Sequence, residues 1–163
     1  AAIVGLFTAI VLYPVLHEFG HSLPAIFLGA DITEFHIFPL PNVLCDGSSL
    51  GNIALAFIGI GGMLIPFLFS FVWKPKCFSV WYVFMLIKGI SALAFALSII
   101  SLIGYNYGMA IKNDDIITVL EFCPDAGIFC GAVMFVLLAL AIYSLCVQKP
   151  LTHIYKYFGI TEK

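Results

Sequence analysis

Four long apolar stretches limit what this chain can fold into. They cover residues 1–28, 51–73, 79–104 and 126–147, and each reaches the roughly 20 residues with which a helix crosses the hydrocarbon core of a bilayer. Only 10% of the residues are charged and the mean hydropathy is +1.12, which is more apolar than a water-soluble domain needs for its core. The sequence therefore predicts an integral, multi-pass membrane protein, an all-α bundle of about four transmembrane helices that forms one membrane-embedded domain over residues 1–163.

The charged residues predict an orientation and exclude one class of partner. All seven basic residues are Lys, and five of them follow the second or the fourth stretch. Seven of the nine acids lie in the first and third connections, so the positive-inside rule favours both termini in the cytoplasm. A net charge of −2 without any Arg offers no basic surface for nucleic acid, which we exclude as a partner.

Two short elements are predicted in the connections. Residues 31–38 alternate imperfectly between apolar and polar side chains, and the Asp46-Gly47 turn signal follows them, which predicts a short surface β-strand or hairpin after the first helix. Residues 116–120 are mostly apolar and follow Asn113. This pattern predicts a short amphipathic helix with Asn113 as its N-cap.

Small and polar residues indicate how the long helices pack. Glycines in the second stretch would let a neighbouring helix approach closely; they are Gly59, Gly61 and Gly62. In the third stretch, four polar residues are spaced by three and seven positions, so they share one helical face that should look into the bundle. These residues are Lys88, Ser91, Ser98 and Ser101.

The segment His17-Glu18-Phe19-Gly20-His21 in the first stretch has the side chains of a metal-dependent catalytic site. It lies between Pro14 and Pro24, which predict kinks on either side of it. Its two His residues lie one helical turn apart on one face, close enough to share a tetrahedral Zn²⁺ at about 2.0–2.1 Å from each nitrogen. Zinc lowers the pKa of a bound water towards about 7, and Glu18 is placed to take its proton as the water attacks a carbonyl. Such polar residues are costly inside an apolar helix unless they are paired or bind a metal. The pattern predicts a zinc-dependent hydrolase with His17 and His21 as ligands and Glu18 as the catalytic base.

A catalytic zinc normally takes a third protein ligand and leaves its fourth position to water. The pair Asp114-Asp115 is the best candidate, because the predicted topology puts it on the side nearer the motif. An ordinary helix cap is the alternative interpretation of this pair. His36 is predicted on the surface strand, and His153 is predicted on the opposite side.

The motif in a membrane helix, with Gly29-Ala30-Asp31 then leading to a strand, resembles the site-2 protease family of intramembrane zinc metalloproteases. The resemblance implies a three-helix core in which His17, His21 and an Asp from near the third core helix hold zinc. It also implies that the substrates are cut within or beside their transmembrane segments. The family site lies nearer the cytosol, whereas the charges here place the His pair towards the opposite face.

The resemblance also bears on the third ligand and on the substrate. In the family, the zinc-binding Asp usually lies eight positions after an Asn, in a loop that contains prolines, and a Gly follows the Asp. Asn106 and Asp114 reproduce this spacing, but the prolines and the Gly are missing here. Asp115 fits the start of a buried helix equally well, so both Asp residues stay open as the ligand. By the same resemblance, Asn106 or Asn113 is a candidate for holding the substrate or the oxyanion.

The expected function is that of an intramembrane zinc metalloprotease, with the bilayer and a transmembrane or membrane-associated protein substrate as its partners. An unwound substrate segment could bind the edge of the surface strand by β-augmentation. Two alternatives stay open. One is a non-proteolytic metal-binding membrane protein, and the other is a zinc or proton transporter that uses the His pair, Lys88 and the acidic loop.

Overall fold

The computed structural model describes residues 1–37, 41–71, 75, 77–109 and 114–159. Within these residues, four helices are long and apolar enough to cross a membrane: Ala2–Leu28, Asn52–Phe69, Phe78–Asn106 and Pro124–Tyr157. A two-stranded antiparallel sheet follows the first of them. The predicted fold class, a helical membrane bundle with a short hairpin after its first helix, is confirmed.

The first span consists of three segments. Helix α1 (Ala2–Phe7) continues into a π-helical turn (Thr8–Leu12) and then into α2 (Tyr13–Leu28). The π-helical turn ends two residues before Pro14, which has no N–H to donate to the carbonyl one turn earlier. Helix α2 ends at Gly29, whose φ of 88° is the left-handed conformation that glycine adopts without strain.

Strands β1 (Asp31–His36) and β2 (Asn42–Asp46) form the hairpin, with a bulge between Ile32 and Glu34. The other helices are α3 (Asn52–Phe69), α4 (Phe78–Asn106), α5 (Asp115–Phe122), α6 (Gly127–Gln148) and α7 (Pro150–Tyr157), with a 3-10 turn (Pro124–Ala126) before α6. Helix α5 is the predicted short amphipathic helix. Its N-cap is Asp114 and not Asn113, because the Asp114 carboxylate accepts a hydrogen bond of 3.0 Å from the Ile116 N–H. Asn113 itself lies outside the described residues.

Helices α2 and α3 approach each other through glycine. A Cβ atom at Gly20 would collide with the carbonyl of Gly61, and a Cβ atom at Gly61 would collide with the carbonyl of Gly20. A Cβ atom at Gly62 would overlap the imidazole of His21. The predicted role of these small residues in close helix packing is confirmed. Through this close approach, α3 lies against the imidazole of His21.

Helix α5 packs into the main core of the bundle. Its buried residues Ile116, Ile117, Val119 and Leu120 join a cluster with residues of α3, α4 and α6. Burying one such aliphatic side chain contributes about 1.5–3 kcal/mol, so this short helix is held by its apolar face. The polar face of α4 also turns inward as predicted, since Lys88, Ser91, Ser98 and Ser101 are all buried.

Candidate metal centre

Three side chains from two helices converge at one point. His17 and His21 lie on α2, and Asp115 is the first residue of α5. The Nε2 atom of His17 lies 3.2 Å from Nε2 of His21 and 3.2 Å from Oδ2 of Asp115, while Nε2 of His21 lies 3.5 Å from Oδ1 of Asp115. A tetrahedral ion with bonds of about 2.0–2.1 Å separates its ligand atoms by about 3.3 Å. Each of the three contacts is close to this separation, although Asp115 makes them through different oxygens, and one ligand atom from each residue lies within 4.8 Å of the other two. This His-His-Asp group could therefore hold a metal ion.

The backbone of α3 orients the second imidazole. Nδ1 of His21 lies 2.8 Å from the carbonyl oxygen of Ile58, and a carbonyl only accepts, so we assign the ring proton to Nδ1. This leaves the lone pair of Nε2 directed at His17 and Asp115. Metal-binding His residues are commonly fixed in this way through their other nitrogen. The absence of a side chain at Gly62 makes room for the ring.

The two adjacent acids have different roles in the structure. Burial raises the pKa of the Asp115 carboxyl, but hydrogen bonds and charge interactions with His17 and His21 in their protonated form outweigh burial and hold this pKa well below its usual range. When the imidazoles are neutral, their Nε2 lone pairs and the Asp115 carboxylate are the atoms that could bind a metal ion. Asp114 caps α5 instead, and the hydroxyl of Ser98 donates to it at 3.3 Å. Burial raises the pKa of the Asp114 carboxyl above its usual value.

Glu18 lies beside His17, His21 and Asp115 in the same cavity, which has a volume of about 620 Å³. Its half-buried carboxylate accepts a hydrogen bond of 3.1 Å at Oε2 from the backbone N–H of Val43 on β2. Because this N–H points at α2, it points away from β1. The outer edge of β2 therefore faces the cavity and the carboxylate.

The cavity is an open cleft with one wall from each neighbouring element. Residues of β2 and the following turn form one wall, Leu55, Ile58 and Gly59 of α3 form a second, and Thr118 and Phe122 of α5 form a third. The sequence predicted a surface strand or hairpin from residues 31–38, which form β1, but it did not predict that the outer edge of the second strand, β2, adjoins Glu18. Only the pairing register of the hairpin, which follows from the turn, could have indicated this contact.

The other residues considered from the sequence lie elsewhere. Asn106 ends α4, donates through Nδ2 to the carbonyl of Leu102 and lines a separate cavity. His36 pairs with Glu34 at 3.0 Å on the exposed face of the hairpin. His153 lies against Trp81, with ring centroids 5.1 Å apart. Among the described residues, the structure thus brings His17, Glu18, His21 and Asp115 together.

Comparisons with known proteins leave the site to be interpreted from its own geometry. No protein-family model, curated protein or solved structure matches the chain. A function must therefore be inferred from the donor atoms, the cavity and the apolar helices.

Proposed function

We propose that the protein is an integral, multi-pass membrane zinc metalloprotease that hydrolyses peptide bonds of transmembrane or membrane-associated proteins. The observation that carries the proposal is the triangle of two imidazole nitrogens and one carboxylate, with Glu18 in the same cavity. Ionisable residues within apolar helices mark functional sites, because leaving them there unpaired is costly. A metal-dependent hydrolysis uses all four residues.

The donor set favours zinc. His nitrogen and Asp oxygen are both ordinary zinc ligands, and a catalytic zinc takes three protein ligands. Here His17, His21 and Asp115 would supply them. When bound, zinc would polarise the scissile carbonyl and make water acidic enough to act as a nucleophile near neutral pH.

Glu18 is the residue that moves protons in this proposal. It accepts a proton from the attacking water and returns it to the nitrogen of the departing amine. The carboxylate accepts the Val43 N–H in the structure, which fixes the side chain at the cavity wall. One of its oxygens is therefore engaged with the hairpin before a substrate arrives.

The outer edge of β2 is the proposed binding surface for the substrate. A peptide bond within a helix is hydrogen-bonded to its own turns, so a transmembrane substrate must unwind before cleavage. An extended segment could pair with the free edge of β2 by β-augmentation. A substrate carbonyl that accepts the Val43 N–H would replace Glu18 there, so that substrate binding frees the catalytic carboxylate.

The alternatives have less support from the structure. A transporter that uses the His pair together with Lys88 needs one shared path, yet in the described part of the chain these residues line separate cavities. A protein that only binds metal does not need Glu18, because the three other residues complete the ligand set.

The decisive experiment compares metal content with cleavage. The full chain and its Glu18→Gln variant would be purified in detergent, their zinc content measured, and cleavage of a transmembrane substrate assayed. We expect Glu18→Gln to keep one zinc per chain and to lose activity by about 10²–10⁴-fold. Glu34→Gln, on the exposed face of the hairpin, is the matched control and should change neither quantity.

Two results would contradict the proposal. One is cleavage that survives Glu18→Gln at wild-type rates. The other is zinc flux into vesicles that survives Glu18→Gln in the absence of any cleavage by the wild-type chain, since this would favour a transporter.

A further inference from the structure

A second cavity lies at the other end of the bundle. It has a volume of about 360 Å³ and is formed where α3 ends, α4 begins and α6 meets α7. The metal centre, in contrast, adjoins Leu55, Ile58 and Gly59 in the first half of α3. We call this second space the Lys88 cavity, after the cation in its wall.

Lys88 is a buried cation whose partners, among the described residues, carry no negative charge. It is 2% exposed, its Nζ donates to Oε1 of Gln148 at 3.1 Å, and Nζ lies 4.2 Å from the centre of the Phe71 ring. Both partners are neutral. Among the residues that the structure describes, no carboxylate pairs with Lys88, and no acid lines the cavity.

The surroundings leave Lys88 able to bind an anion. An ammonium group has three donors; the amide of Gln148 takes one, and the face of Phe71 stabilises the charge without accepting a conventional hydrogen bond. Because an isolated charge is costly within an apolar span, an anion in the cavity would offset that cost. The NH₂ group of Gln148 is a further donor at the same place.

The cavity opens towards the surface at this end of the bundle. Lys88 lies about 15 Å along α4 from its first residue, and a helical side chain leans towards the helix N-terminus, so its ammonium points to that end. His153, an exposed residue of α7, lines the mouth. Lys149, between α6 and α7, lies in the same terminal region and adds positive charge there.

We propose that the Lys88 cavity binds a phosphate group. A phosphate presents several acceptor oxygens to the donors of Lys88, Gln148 and His153, and its negative charge complements the Lys88 ammonium, which pairs with no described carboxylate. An anionic phospholipid headgroup and free phosphate share this chemistry. The apolar part of the wall, from Phe84, Met85 and Val147, favours the headgroup, as expected of basic pockets between transmembrane helices.

The test measures binding by the full chain after delipidation. Mixed micelles of phosphatidylcholine with or without phosphatidylglycerol, and separately inorganic phosphate, would be titrated while bound lipid is followed by native mass spectrometry and thermal unfolding is recorded. We expect phosphatidylglycerol to bind at least tenfold more tightly than phosphatidylcholine. Stabilisation by inorganic phosphate alone would support the same site with free phosphate as its source.

Variants localise the binding. Lys88→Met should weaken it at least tenfold, while Lys156→Met removes the same charge from an exposed position and should change it less than threefold. Replacing an unpaired buried charge by an apolar side chain of similar length should not prevent folding. His153→Ala, at the exposed mouth, provides a second variant and should weaken binding at least threefold. The proposal is overturned if wild type binds phosphatidylglycerol no more tightly than phosphatidylcholine and is not stabilised by inorganic phosphate. It is also overturned if Lys88→Met and His153→Ala both bind as wild type does.

Discussion

Replacing Gly62 by Ala is the sharpest test of the metal centre, because it changes no ligand. The added methyl group would overlap the His21 imidazole. The ring would have to move by about 1 Å to reach an ordinary van der Waals distance of about 3.5 Å from the methyl carbon. The ring cannot turn freely, since its Nδ1 is bonded to Ile58 at 2.8 Å. Metal–ligand distances tolerate only about 0.2 Å, so this shift should remove His21 from the ligand set.

We expect Gly62→Ala to lower the zinc affinity at least 100-fold, which corresponds to about 2.7 kcal/mol. The substitution should not destabilise helix α3 itself, because the helix propensity of Ala exceeds that of Gly by about 1 kcal/mol. Competition with a chromophoric chelator in detergent would measure the affinity, and circular dichroism would verify the helix content. Gly89→Ala is the matched control, since a Cβ atom there meets nothing within 4 Å. A folded Gly62→Ala variant that binds zinc within threefold of wild type would refute the reasoning.

The remaining predictions concern the acids and the hairpin. Asp115→Ala should lower the zinc affinity at least about 100-fold because it removes a proposed ligand. Asp114→Ala should keep zinc and lower the free energy of unfolding by about 1 kcal/mol, the usual effect of losing an N-cap. Zinc titration and thermal unfolding separate the two variants, and equal zinc loss in both would contradict the assignment. Val43→Pro removes an N–H that already points away from β1, and it should lower kcat/KM for a transmembrane substrate at least about tenfold at unchanged zinc content if the substrate pairs there. An increased rate would mean instead that this N–H only restrains Glu18.

The spans could be predicted because the bilayer fixes their length and composition. The predicted stretch 79–104 became Phe78–Asn106, and 126–147 became Gly127–Gln148, so the ends differ by one or two residues. The second stretch was predicted to residue 73, but α3 ends at Phe69, since apolar residues alone do not mark where a helix stops. Apolar composition likewise did not predict the π-helical turn at Thr8–Leu12, which precedes Pro14.

The sequence could not decide which of the two adjacent acids lies beside the His pair. Asp114 and Asp115 are adjacent, and one residue turns a helix by about 100°, so their roles depend on where α5 begins. Asn113 and Asp114 are both good N-caps. Contacts made only in the fold, such as the Ser98 hydroxyl on Asp114, distinguish them. Asn106 itself is the last residue of α4 and donates to the carbonyl of Leu102, away from the His pair.

The metal centre joins parts of the chain that are synthesised at different times. Helix α2 carries both imidazoles, but Asp115 follows only after α3 and α4. At about 5–20 residues per second, the ribosome makes Asp115 roughly 5–20 s after His21. A nascent chain truncated before α5 would contain both imidazoles but not Asp115, so the His-His-Asp group would be incomplete. Under the proposed function, the chain could therefore cut no peptide bond before α5 has been synthesised.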